Sequence, residues 1–394
     1  MESLYSLDLK LIYALDFFFS LASALVSIAI PLFAYSLGAS QLEIGFLGFA
    51  HMGIQIPLCV YFGRLSDKAG RTKLLMLSLL CASAALTLLT VSGSLLLLFV
   101  VRLILGFASS IFYPVSGALT ADRAPAGKMV KVMGLSSLFY GVAWAIGPVV
   151  SGYLIDYFRS YFATFLLGAI FTFTMYPLII SLSRRRGRGQ EAGVRSHKES
   201  LVTEASGAHQ AKRSILAWAF VGVSLQGFIL GVIFNIFPVY SVIIGFSEAE
   251  TGLFSAIANM MSVLVFFFIG RLSDRLTKLN ICILGAAFCV TVVMVPLARD
   301  FVPMAFSIAM VGLGAAIIYP TSKAAVLELS MVKRGSYIGF YESVSVGGMS
   351  AGSLLGGTLA SYVALEAPYY FISAMAVAVV LFLSLFARRN DIKS

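Results

Sequence analysis

The sequence predicts an all-α polytopic membrane protein, with twelve transmembrane helices in two pseudo-symmetric six-helix bundles. Three observations predict it. The 394 residues are 59% hydrophobic and only 12% charged, about half the charged share of a soluble domain. Apolar windows recur along nearly the whole chain, each long enough to cross a ~30 Å hydrocarbon core as a helix. A charged run, Gly63-Arg64-Leu65-Ser66-Asp67-Lys68-Ala69-Gly70-Arg71, recurs in the second half as Gly270-Arg271-Leu272-Ser273-Asp274-Arg275-Leu276-Thr277-Lys278. Strand-length segments of alternating polarity are absent, which excludes a membrane β-barrel.

The first window, roughly 10–37, is too long for a signal peptide and has no cleavage pattern after it, so it is expected to remain as the first helix. The others fall at roughly 44–64, 74–92, 95–121, 131–157, 160–182, 214–243, 249–271, 279–298, 302–329, 335–363 and 366–387. The second and eighth are each preceded by a Ser with Glu three residues on, Ser40 and Glu43, then Ser247 and Glu250. That is the capping-box pattern, which satisfies the free amides of a helix start. Between the sixth and seventh windows, 183–213 is rich in Arg, Gly and Ser and reads as a flexible linker. It divides the chain into bundles 1–182 and 214–394. The repeat extends further: Tyr113-Pro114 matches Tyr319-Pro320, and Gly134, Gly147 and Gly152 match Gly339, Gly352 and Gly357. Internal duplication of this kind is typical of secondary transporters.

The net charge of +10 does not point to nucleic acid. With the N-terminus in the cytoplasm, all but four of the 28 Lys and Arg lie at cytoplasmic ends and loops. The exceptions are Arg159 and Arg299 on the other side and Arg102 and Lys323 within helices. This positive-inside bias puts both termini in the cytoplasm of a cell whose plasma membrane the chain spans. Cys59, Cys81, Cys282 and Cys289 all fall within spans and form no disulfide or metal pattern, so they read as small hydrophobes. With three His and no ligand spacing, neither a metal nor a cofactor is expected.

At these motifs the chain resembles the major facilitator superfamily over nearly all its length. The family's loop between helices two and three reads Gly-x-Leu-Ala-Asp-Arg-x-Gly-Arg-Lys; here Gly63, Leu65, Asp67, Lys68, Gly70 and Arg71 fit, with Ser66 in place of Ala. The second copy keeps Gly270, Asp274 and Arg275, lacks the later Gly, and has Lys278 for Arg. Arg102 to Gly106 resembles the fourth-helix pattern Arg-x-x-Gln-Gly, with Leu105 replacing Gln. Gly134, Ala143, Gly147-Pro148 and Ser151-Gly152 follow the spacing of the fifth-helix antiporter motif, a helix-packing set closest to the drug:proton antiporter branch. Small residues at helical spacing also serve ordinary close packing.

The resemblance implies a conformational latch. Asp67 would cap the N-terminus of the eleventh helix, where amides and dipole favour an anion. Arg71 would pair with Asp122, and the repeat implies a second set of Asp274, Lys278 and Glu328. A solvated loop is the alternative. Helices one, four, seven and ten would line the cavity, making Ser20, Tyr113, Asn235, Tyr319 and Lys323 candidate substrate contacts.

Asp16 lies about 9 Å inside the first helix and heads a polar stripe with Ser20, Ser23 and Ser27. A carboxylate at that depth must be protonated, paired or facing water, so Asp16 and Glu342 are proton-coupling candidates. Alternatively, Lys323 neutralises one of them in a permanent pair. Arg102 either assists proton transfer or binds an anionic group, as in relatives, or snorkels to outer headgroups. The leading functional expectation is a monomeric secondary active transporter, moving a small organic solute by alternating access, as proton-coupled efflux. A uniporter or proton symporter of the same fold is the alternative, followed by a non-transporting receptor or scaffold. A membrane hydrolase would need a metal set, a Ser-Lys pair or an aspartate dyad, none of which is evident.

Overall fold

A computed structural model describes residues 6–125, 129–186, 206–273, 275–327 and 334–391. Among these every regular element is helical, as hydrocarbon demands when backbone groups must be satisfied within each segment. In chain order the helices are α1 (Leu7–Ser36), α2 (Gln41–Gly53), α3 (Gln55–Ala69), α4 (Arg71–Thr90), α5 (Leu95–Asp122), α6 (Met129–Phe158) and α7 (Phe162–Arg186). The second half holds α8 (Ser206–Asn235), α9 (Phe237–Ile243), α10 (Glu248–Ser273), α11 (Lys278–Val290) with a 3-10 continuation Thr291–Leu297, α12 (Phe301–Leu327), α13 (Arg334–Tyr362) and α14 (Ala367–Asp391). With α2–α3, α8–α9 and α11 with its continuation each counted as one rod, they match the twelve predicted windows.

Three of those windows are interrupted, and each interruption has a proline one turn later. Pro57 cannot donate to the Gly53 carbonyl, and the ladder breaks at Ile54. Pro238 leaves the Phe234 carbonyl without its helical partner, separating α8 from α9. Pro296 does the same to Val292, where α11 has tightened into 3-10 geometry. The linker is also shorter than predicted: α7 continues through Arg184–Arg186 and α8 starts at Ser206. Helical backbone can run on beyond the bilayer where Arg, a good helix former, meets water.

Both capping boxes are formed. Ser40 N–H donates to Glu43 Oε2 at 2.8 Å and Glu43 N–H to Ser40 Oγ at 3.3 Å; Ser247 and Glu250 repeat this at 2.8 and 3.2 Å. The turns before them are duplicated too. Gly38 (φ +86°) and Gly245 (φ +108°) adopt the left-handed conformation that ends α1 and α9. The six-to-one bonds of a Schellman turn follow, Ala39 N–H to Ala34 O and Phe246 N–H to Ser241 O, both 3.0 Å.

Within the first bundle α1 packs along α6 and α7, and α4 along α5 and α7; in the second, α8 packs along α13, and α11 along α12 and α14. The halves meet along two seams, α13 against α2–α3 and α10 against α6. On the face opposite the termini these seams are backbone-close and hydroxyl-bonded. Ser353 Oγ donates to Gly45 O at 3.0 Å, Ser350 Oγ to Phe49 O at 3.2 Å, and Leu42 N–H donates to Ser361 Oγ at 2.8 Å. Gly357 meets Gly45, and Gly252 meets Pro148 and Gly152, with no room for a side chain. Arg159 reaches across to Glu248 at 4.0 Å. Toward the termini, among the described residues, α5 and α6 make no extended contact with α12 or α13, and the halves diverge into a cleft on that side.

One predicted packing residue does not pack. A Cβ on Gly134 would meet nothing within 4 Å, because it lies near the open end of α6 where the halves diverge. Gly147 abuts Ala24 and Leu25 of α1, and Gly152 abuts Glu248 of α10, so the close-packed part of this set is its far-face half. Gly357→Val, whose Cβ would stand 2.9 Å from Gly45 Cα, is therefore expected to destabilise the sealed face by about 1–3 kcal/mol. Single cysteines at positions 42 and 361 should become more reactive to a membrane-impermeant maleimide. Gly134→Val should leave their labelling unchanged.

Candidate transport site

Asp16 is 8% exposed, in the first third of α1. Each carboxylate oxygen accepts one hydroxyl: Oδ1 from Ser116 of α5 and Oδ2 from Ser136 of α6, the latter at 2.5 Å. No cation pairs with it among the described residues. Ser20, one turn along, is 1% exposed and lies in the wall of the first bundle, not on an open surface. Both ligating serines belong to the same bundle as Asp16, so the group travels as a unit when the halves move.

The intramembrane acid of the second half, Glu342, is neutralised. Lys323 Nζ of α12 donates to Glu342 Oε1 of α13 at 2.6 Å, and Tyr319 Oη donates to the same oxygen at 2.6 Å. Lys323 also donates to Tyr319 Oη at 3.2 Å and stands 5.0 Å from that ring's centroid. Tyr341 fixes the platform by donating to the Tyr319 carbonyl at 2.8 Å. The lysine and glutamate side chains are 31% and 33% exposed, so the pair is only partly buried. Of the sequence alternatives for Lys323, the partner is Glu342, not Asp16.

An aromatic arc joins the two sites. Tyr113 of α5 meets Tyr140 of α6 edge-on at 6.0 Å between centroids; Tyr140 meets Trp144 at 6.0 Å; Trp144 meets Phe234 of α8, across the seam, at 5.1 Å. Tyr140 is 43% exposed, and Tyr319 and Glu342 are among its electrostatic neighbours. Sequence reasoning found Tyr113 and Tyr319 but missed Tyr140, Trp144 and Phe234. Tyr140 and Trp144 are four residues apart on one helix, a signal available but shared with ordinary core packing.

Arg102 and Asn235 correct two expectations. Arg102 does not snorkel: it is 6% exposed and donates from Nη2 to Asn235 Oδ1 at 2.5 Å, across the halves. Asn235, expected in the cavity, is 1% exposed because it terminates α8 inside the sealed region, where Gly48 of α2 also presses on it. His51 Nδ1 lies 3.1 Å from the Arg102 carbonyl, completing a polar knot on the closed side.

At the termini face, Arg71 Nη1 lies 2.5 Å from Asp122 Oδ2. The adjacent Arg123 pairs with Asp8 of α1, a tie the sequence reading did not identify. A Cβ added at Gly63 would stand 4.0 Å from Pro114, and Gly70 forms the turn into α4. The Asp67 side chain, Asp274 and Glu328 lie outside the described residues, so the cap on α13 and the second latch set do too; Gly270 lies in α10 and Lys278 opens α11. Removing one partner of the Lys323–Glu342 pair strands a charge in a low-dielectric wall. Lys323→Gln is expected to cost about 2 kcal/mol. The double variant with Glu342→Gln should recover most of this, read as paired thermal-unfolding shifts in detergent.

A family model for the Major Facilitator Superfamily matches residues 12–301 and 279–394. An MFS-type transporter of Methanocaldococcus jannaschii is 23% identical over 361 residues, covering 88% of this chain and 90% of that one. The staphylopine export protein of Staphylococcus aureus is 24% identical, covering 95% and 94%. The class B tetracycline resistance protein of Escherichia coli is 26% identical over 59% of this chain and 57% of its own. Among solved structures, a nucleoside transporter superposes with a TM-score of 0.75 at 14% identity, covering 97% of this chain and all of that one. A POT family transporter bound to 5-aminolevulinic acid reaches 0.79 at 13%, covering 97% and 96%. The duplicated loop motif, the two six-helix bundles and the match along both halves have one explanation: the chain belongs to the Major Facilitator Superfamily and is a membrane transporter, not an enzyme.

Proposed function

We propose that this transporter exports a small organic solute in exchange for protons, with Asp16 as the coupling carboxylate. The observation that carries this reading is the asymmetry between its two intramembrane acids. Glu342 is held by Lys323 and Tyr319, whereas Asp16 is buried among serines with no cation beside it among the described residues. A lone carboxylate in hydrocarbon is stable only when protonated or when water reaches it. Protonation therefore favours occlusion, and deprotonation favours a state in which Asp16 meets water. Serine hydroxyls suit both forms, because each can donate to a carboxylate or accept from a carboxylic acid.

The export direction is supported by relatives named for tetracycline resistance, staphylopine export and multidrug export. The charge bias supports cytoplasmic termini in the plasma membrane, so in this reading the cleft opens to the cytoplasm and the transporter is an inward-facing monomer. In this reading the Arg102–Asn235 bond and the α2–α13 seam must break for release outside. Arg71–Asp122 and the Asp67 loop would serve the opposite closure, together with Asp274, Lys278 and Glu328 in the second half. Pro148 and Gly152 would seal α6 against α10, while Gly147 holds α6 to α1.

Everted membrane vesicles energised by respiration should accumulate tetracycline, the compound named for one relative, and lose that accumulation on addition of an uncoupler. Asp16→Asn is expected to reduce the uphill flux at least tenfold while retaining exchange down a gradient. Coupling can also be read without a substrate. In pH-difference infrared spectra of the purified protein, a carboxylic-acid C=O band should titrate in wild type and be missing in Asp16→Asn. Intact uphill flux together with an unchanged band would transfer the role elsewhere.

A further inference from the structure

We infer that Ser136 is the proton-relay residue of the coupling site, passing the proton between water in the cleft and Asp16 Oδ2, while Ser116 only anchors the other oxygen. This role rests on Asp16 being the coupling carboxylate and adds the route by which its proton comes and goes. The two serines look alike but differ in one respect. Each donates to one carboxylate oxygen, Ser116 to Oδ1 and Ser136 to Oδ2, the latter at 2.5 Å. Ser116 is buried, as is Asp16 itself, whereas Ser136 is partly exposed. Among the described residues, Ser136 is therefore the hydroxyl that touches both the acid and accessible space.

The surroundings of Ser136 say what that space is. Met133 and Tyr140 stand three residues before it and four after it, on the same face of α6, and both are exposed. This face looks toward the other half, because Tyr319 and Glu342 are among the electrostatic neighbours of Tyr140. No charged side chain acts on Asp16 among the described residues. The titratable group beside it is Tyr113 of α5, a phenol, which is neutral near pH 7. A serine hydroxyl carries one proton and two lone pairs. As Ser136 gives its O–H proton to Asp16 Oδ2, its oxygen takes a proton from a hydronium ion in the cleft. One O–H bond breaks on the serine and one on the hydronium; one forms on Oδ2 and one on the serine. Carboxylate and hydronium become carboxylic acid and water, and Ser136 ends as it began. Release to the cleft runs the same steps backward. The acid can thus exchange its proton while its own oxygens stay out of water.

The test is an acid jump on the purified full-length protein, triggered by a laser-released proton and followed in the infrared. It reads separately how fast the Asp16 C=O band appears and how large it becomes. In Ser136→Val the band is expected to reach its wild-type amplitude but to appear at least about tenfold more slowly. Ser136→Thr, nearly the shape of valine but with a hydroxyl, should bring the rate back toward wild type. A merely structural role would move the amplitude and not separate these two variants. With the proton on Oδ2, Oδ1 is the carbonyl oxygen. Ser116→Ala should therefore shift the band to higher wavenumber, through the hydrogen bond lost, at an unchanged rate. Equal rates in Ser136→Val and Ser136→Thr overturn the relay, as does equal slowing in Ser116→Ala. Should Ser136→Val fold poorly, equal rates in Ser136→Ala and wild type overturn it instead. An Asp16 band that titrates at a rate indifferent to Ser136 removes the relay alone and leaves the coupling role standing. A wild type with no Asp16 band removes both.

Discussion

Charge in hydrocarbon must be answered by a partner, a proton or water, and this constraint organises the molecule. The two halves descend from one plan, yet they answer it differently. In the second half the answer is a cation: Lys323 holds Glu342, and Tyr319 and Tyr341 hold the pair. In the first half two serines ligate Asp16, which leaves the choice between proton and water open. A duplicated scaffold thus carries one acid paired with a cation and one ligated, among the described residues, by hydroxyls alone. Arg102, the other intramembrane cation described, is answered by a neutral amide from the opposite half, so its burial depends on the halves being together.

The seams between the halves follow from a related constraint. Lipid supplies no hydrophobic drive for helices to associate, so close packing and hydrogen bonds must do it. Along α13, serines 343, 350 and 353 each donate to a carbonyl of α2 or α3, and glycines bring the backbones within reach. Small residues make the contact tight without making it sticky. Bonds between hydroxyls and carbonyls can be exchanged for water when a face opens, which a wall of interlocked Leu and Phe could not do without exposing apolar surface.

Much of this was legible in the sequence. The apolar windows, the repeat and the capping boxes are local signals, set by length, charge and residues three or four apart. The helix interruptions at Ile54 and Ile236 were less so, although Pro57 and Pro238 were in view. Several other prolines, such as Pro114 and Pro148, sit inside helices that continue, so the residue type alone does not locate a break. Depth along a helix can be counted from the sequence, but depth says nothing about rotation. Asn235 was therefore assigned to the cavity although its face is turned into the seal. Ser136, Tyr140, Trp144 and the Asp8–Arg123 tie depend on which helices are neighbours, information that a single chain read along its length does not contain.

The paired left-handed glycines, Gly38 and Gly245, bear on how such a molecule can move. Each closes its helix with a Schellman turn and passes directly into a capping box, so the short connections on the sealed face are fully hydrogen-bonded at both ends. They are stops and not springs. A rocking motion cannot be absorbed there, which shifts the bending to the rods themselves, at the proline-weakened points near Ile54, Ile236 and Thr291. Two of these three points belong to the second half's own helices, and the third lies on the α2–α3 rod that faces α13. The rigid loops then act as fulcra, and the compliance of the machine resides in the middle of the membrane, beside the groups that bind and release.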